Sequence, residues 1–200
     1  MNTLSARDLH ALRIAIFDNA EALHREAEVL LKNDMYSRAY LLAHFCVEEL
    51  GKIPIVVGVI GALAKGEVVD WKMAKRRFSN HEAKIASQNG HFYVFGVELD
   101  CLQDKDLEWL LKANSAVADS YNKKNMSTYV DAKDGKILRP IVAITEDEAA
   151  EIVAFAFDCL RAHWRSESLT NPILYDAQGN NSTDGASSRA ESDFWRVNGV

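Results

Sequence analysis

Two short stretches of this 200-residue chain hold the side chains that could do chemistry together. The first is Glu48-Glu49-x-x-Lys52, set inside an otherwise apolar run. The second is Arg76-Arg77-x-x-x-His81-x-x-Lys84. An imidazole gives or takes a proton near neutral pH, and a guanidinium grips a phosphate with two parallel donors. Carboxylates and ammonium groups beside them would fix their positions. Such a set suffices for metal-independent cleavage of RNA, in which the 2′-hydroxyl is an internal nucleophile. The same atoms admit a plainer account, an ion network that only fixes the register of two helices.

The elements carrying these residues are helices. Across residues 34–63, Tyr36, Tyr40, Ala43, Val47, Leu50 and Pro54 recur at steps of four and three, one face of a helix. Leu41, Leu42, Phe45 and Cys46 cover much of the rest, so this helix belongs at the centre of a bundle. There an unpaired charge would cost several kcal/mol, so Glu48, Glu49 and Lys52 need partners. Glu48 and Lys52, four apart, can pair along the helix. Pro54 predicts a kink one turn past Glu49, and Lys65-Gly66 a stop.

A third helix, WKMAKRRFSNHEAKIAS, opens at Asp70 and carries the densest basic cluster. If it is unbroken, Arg77, His81 and Lys84 share a face that can meet Glu48 and Glu49, whereas Arg76 points about 140° away from His81. Arg76 and His81 converge only if the helix breaks between them or a second subunit supplies one of the two. A second Arg–His pair of similar spacing, Arg38 and His44, lies in the central helix, where His44 reads as a hydrogen-bonded core residue.

The remaining chain supports the bundle. Ser5 with Asp8 forms a capping box for a first helix through Leu9, Leu12, Ile16, Leu23, Leu30 and Leu31, ending near Lys32. Asn33-Asp34 is the break, and caps the central helix. Gln88-Asn89-Gly90 can interrupt the chain before HFYVFGVEL, either more helix or a short extended piece. Asp104 to Tyr121 reads as one amphipathic helix, and His91 as a packing residue. Asp134-Gly135 between short alternating segments marks a hairpin ended by Pro140. Thr145 with Glu148 starts a last helix running to Trp164. Trp71, Trp109 and Trp164 read as core or interface anchors. Lys123, Lys124, Lys133, Lys136 and Arg139 form a modest basic edge that could guide RNA.

Bulk properties exclude several classes. The net charge of −6, with a pI near 5.5, argues against a general nucleic-acid coat or an anionic membrane partner. Cys46, Cys101 and Cys159 are odd in number and set in apolar surroundings, as expected of reduced core thiols in a cytoplasmic protein. No Cys-x-x-Cys or His-x-x-x-His pair suggests a metal, and no cofactor motif occurs. The longest apolar run, Ile53 to Ala64, is too short to span a bilayer. One helical domain over residues 1–166 and a polar, poorly ordered tail over residues 167–200 are expected, with Phe194 and Trp195 able to dock.

YSRAYLLAHFCVEELGK, then FSNHEAK, then a YVD…P hairpin resembles the AbiV family of bacterial abortive-infection proteins, grouped with the HEPN superfamily. The resemblance spans roughly residues 15–165 and implies an all-α, HEPN-like antiparallel bundle with a small β-hairpin insertion. It also implies a homodimer that stops translation in phage-infected cells. The superfamily's Glu-x-x-x-Lys pattern falls on Glu48 and Lys52, and its nuclease signature on Arg76 and His81, with Arg77 standing where a small polar residue is usual. The catalytic set implied is His81, Arg76 and Arg77, supported by Glu48, Glu49, Lys52 and Lys84. The alternative is a non-catalytic protein that blocks translation by binding a phage protein or a translation factor.

Overall fold

The computed structural model describes residues 4–96 and 107–176. Eight α-helices and one two-stranded hairpin make up the described residues. Helix α1 (Ala6–Lys32) opens on the expected Ser5–Asp8 capping box. It is followed by α2 (Tyr36–Leu50), α3 (Lys52–Ala64), α4 (Trp71–Ser79) and α5 (His81–Phe95). Then come α6 (Leu107–Ser115), α7 (Val117–Met126), strands β1 (Asp131–Lys133) and β2 (Lys136–Leu138), and α8 (Glu146–Asp176). The all-α expectation with one small hairpin holds.

Helix α2 is the hub, packed against α1, α8 and α5, with α3 and α7 closing on it as well. Tyr40, Ala43, Cys46, Val47 and Leu50 are all buried in one continuous core with Ile16, Phe17 and Leu160. Trp71, Trp109 and Trp164 pack half-buried against that core. Cys46 and Cys159 are buried free thiols, whereas Cys101 lies outside the described residues. No helix among the described residues is long and apolar enough to cross a membrane.

The helix boundaries depart from expectation at several places. Asp34, at φ 59°, makes the turn between α1 and α2, but the N-cap of α2 is Met35, which makes no side-chain cap bond. Past Glu49 the chain breaks at Gly51 instead of merely kinking at Pro54, so α2 and α3 are separate. The third helix is interrupted at Asn80, whose extended ψ of 122° and side-chain bond to Ala83 N make it the N-cap of α5. At Gln88-Asn89-Gly90 the chain takes the first of the two readings, more helix, and α5 runs on to Phe95. The single helix expected up to Tyr121 is two, divided at Ala116.

The hairpin turns at Asp134 and Gly135, with φ 52° and 72°, the left-handed pair that a two-residue loop requires. Thr145 and Glu148 form the predicted capping box of α8, which continues past Ser166 to Asp176. Phe194 and Trp195 lie outside the described residues.

Candidate active site

Glu48 sits at the centre of the site. The apolar faces of α2 hold it inside the bundle, with its side chain 5% exposed. A buried carboxylate is tolerated only when both oxygens are satisfied, and two neighbouring helices supply the donors. From α5, Lys84 Nζ donates to Oε2 at 2.8 Å, and His81 Nδ1 lies 2.6 Å from the same oxygen. From α7, Lys124 Nζ donates to Oε1 at 3.1 Å. His44 Nδ1, one turn back on α2, is 3.3 Å from Oε1 but off the hydrogen-bonding line, so it is a close electrostatic neighbour. Burial alone would raise the Glu48 pKa. The approaches of His44, Lys84 and His81 outweigh it and hold the carboxyl well below the usual carboxylate range.

Ionised Glu48 has only lone pairs to offer, so the His81 nitrogen facing it must carry the proton. That leaves Nε2 as the ring's acceptor, on an imidazole whose side chain is 46% exposed. A buried carboxylate thus fixes the tautomer and orientation of a solvent-accessible base, the arrangement that lets a histidine take a proton and stabilises the imidazolium that results. Tyr121 flanks the ring, its centroid 5.5 Å away, and its own face receives the Lys124 ammonium at 4.1 Å.

Local backbone explains the placement. Asn80 starts α5 one residue before His81 and points the first turn at α2. Gly51 lets that turn come close: a Cβ at residue 51 would lie 2.0 Å from the Lys84 carbonyl oxygen. Lys84 can therefore reach Glu48 directly.

Not every expected residue joins the centre. Arg76 and Arg77 lie exposed in the last turn of α4, across the Asn80 break from His81. Arg77 Nη2 donates to Ser87 Oγ at 3.3 Å and not toward the acids. Lys52 pairs with Glu49 at 2.7 Å, three residues back, instead of with Glu48, and lies 5.1 Å from the Phe78 ring. His44 is buried as expected, but neither of its ring nitrogens makes a hydrogen bond.

Lys124 and Tyr121 also belong to the centre, beyond the residues expected there. The sequence reading puts Lys124 on a basic edge, yet it is buried, and Lys123 is engaged with Glu148 at 2.7 Å. A signal existed. Val117, Tyr121 and Lys124 follow one another at steps of four and three, so the lysine lies on the inward stripe of α7.

No curated protein and no solved structure matches the chain. The HEPN_AbiV family model, described as AbiV, matches residues 8–161, a span that takes in Glu48, His81, Lys84 and Lys124 together with the hairpin. On that match the chain belongs to the AbiV family of the HEPN superfamily.

Proposed function

We propose that this protein acts in abortive-infection phage defence, shutting down translation in infected cells by metal-independent cleavage of RNA. Family membership supports the defence role. The observation that carries the chemistry is the exposed His81 ring braced by buried Glu48 at 2.6 Å. His81 Nε2 takes the proton of a 2′-hydroxyl, whose oxygen attacks the neighbouring phosphorus. The P–O5′ bond breaks, and the leaving oxygen receives a proton from an imidazolium, yielding a 2′,3′-cyclic phosphate. The buried cations Lys84 and Lys124 outnumber the one carboxylate they share, which favours an anion at the exposed ring. Arg76 and Arg77, exposed on the neighbouring α4, supply the outer phosphate contacts. A homodimer places two such histidines in one groove, one acting as base while the other acts as acid.

The test compares RNA integrity and protein synthesis in cells expressing wild type or His81→Ala. RNA fragments with cyclic phosphate ends are expected for wild type alone. Equal RNA integrity together with equal toxicity would remove the nuclease.

A second reading, binding of a phage protein or a translation factor without catalysis, is favoured by one observation. Four bases already surround Glu48, as an ion network built only for register would have them. Under it, His81→Ala remains toxic and translation stops with RNA intact.

A further inference from the structure

Next to the Glu48 centre, and sharing His44 with it, lies a cavity of about 200 Å³ walled by residues of α2, α5, α6, α7 and α8. We propose that this cavity binds a small neutral molecule, about one aromatic ring in size, whose hydroxyl or N–H donates to His44 Nε2. The site stands apart from the nuclease reading, since no group assigned to cleavage lines it.

Burial gives the cavity a floor and a rim. His44, Val47, Ile85 and Asn89 are buried beneath it, whereas Ala113 and Phe155 are only partly covered. His44 is 1% exposed, and neither of its ring nitrogens has a hydrogen-bond partner. Buried polar side chains are nearly always partnered, so a bare imidazole in the wall of a cavity is a signal of its own. Glu48 Oε1 lies 3.3 Å from Nδ1, and an ionised carboxylate keeps the ring proton on the nitrogen that faces it. Nε2, the far nitrogen of the ring, is then an acceptor that waits for a donor. Asn89 adds a second acceptor. Its amide nitrogen donates to Asn114 Oδ1 at 3.0 Å, which leaves its own carbonyl oxygen unengaged.

These walls select the ligand. None of the lining residues is Lys, Arg, Asp or Glu, so a charged occupant would lose its hydration and gain no counter-charge. Val47, Ile85, Ala113 and Phe155 favour an apolar body, with the Phe155 ring able to pack against another ring. Two acceptors and no cation favour a donor over a carbonyl or a carboxylate at the polar end. An apolar cavity of about 150 Å³ takes up benzene, so the volume here suits one ring with a single polar substituent. Apolar walls with a few placed polar groups are the usual build of a small-molecule site.

The experiment titrates the full chain with phenol and, separately, with toluene, which has the same shape and no donor. Imidazole ¹⁵N resonances are followed by NMR. Phenol is expected to saturate and to move the His44 Nε2 resonance upfield, with toluene binding about tenfold more weakly. His44→Phe keeps a ring in the wall and is expected to erase that preference. Ala113→Trp, at the partly exposed rim, leaves the buried imidazole in place and is expected to abolish binding of both probes by filling the space. Failure of both probes to bind wild type, equal affinity for the two, a His44 Nε2 resonance unmoved at phenol saturation, or phenol binding that survives Ala113→Trp would each overturn the site.

Discussion

Helix α5 carries two histidine sites that the bundle treats in opposite ways. At its first residue, His81 stands half in solvent with its inner nitrogen held by an ionised carboxylate. Ten residues on, His91 lies inside the bundle, stacked on His163 of α8 with ring centroids 3.7 Å apart and planes within 5°. His163 Nε2 meets Gln88 Oε1 at 2.7 Å, and His91 Nε2 meets Ser166 Oγ at 3.1 Å. Burial pushes His91 down to about 4, so at neutral pH that ring is uncharged packing. The difference lies in what surrounds the ring. One histidine has an ionised acid behind it and an opening to solvent in front. Stacking, burial and a hydroxyl partner make a core residue of the other.

Removing the acid breaks this contrast most severely. Glu48→Ala leaves Lys84 and Lys124 buried without their counter-charge, and chemical denaturation should record a loss of about 3–5 kcal/mol. A loss below about 1 kcal/mol would mean that the two lysines escape to solvent.

Acid titration probes the other site. The His91 pKa is lower in the folded chain than its ordinary 6.5, so the unfolded chain takes up the proton first as pH falls. Its contribution is complete above pH 6.5 and is lost between there and about 4, by roughly 3 kcal/mol. Unfolding free energies measured across that window should slope more gently in His91→Phe. The contribution of Glu48, whose carboxyl is depressed instead, falls away only at lower pH.

Gly51→Ala sharpens the contrast by disturbing one site alone. Its methyl group would collide with the Lys84 carbonyl, at a cost of about 1–3 kcal/mol. His91, three turns along α5, should keep its titration by NMR. The smallest effect on stability belongs to His81→Ala. The ring is nearly half exposed, and a change under about 1 kcal/mol is expected in the same denaturation assay. RNA cleavage in cells should nevertheless disappear.

The sequence made some of this legible. Charges in a greasy helix demanded bases, and His81 with Lys84, three apart, were the right ones. Both capping boxes and the Asp134-Gly135 turn declared themselves because their chemistry is local. What escaped depends on tertiary contact. Glu48 prefers ammonium groups from α5 and α7 over its helical neighbour Lys52, a choice that spacing along one helix cannot reveal. Asn80 is a good N-cap by type, but the basic stripe of Arg77, His81 and Lys84 reads straight through it on an unbroken helix. Helix–helix approach at Gly51 has no signature except the glycine itself.

That approach has a mechanical consequence. Where α5 meets residue 51, the spacing is set by main-chain atoms, which have no rotamers to slip between. Lys84 sits on that seam and His81 one turn before it, so a shear of α5 along α2 is transmitted to the His81 ring almost undamped. Whatever partner or ligand shifts α5 therefore has its hand on the imidazole.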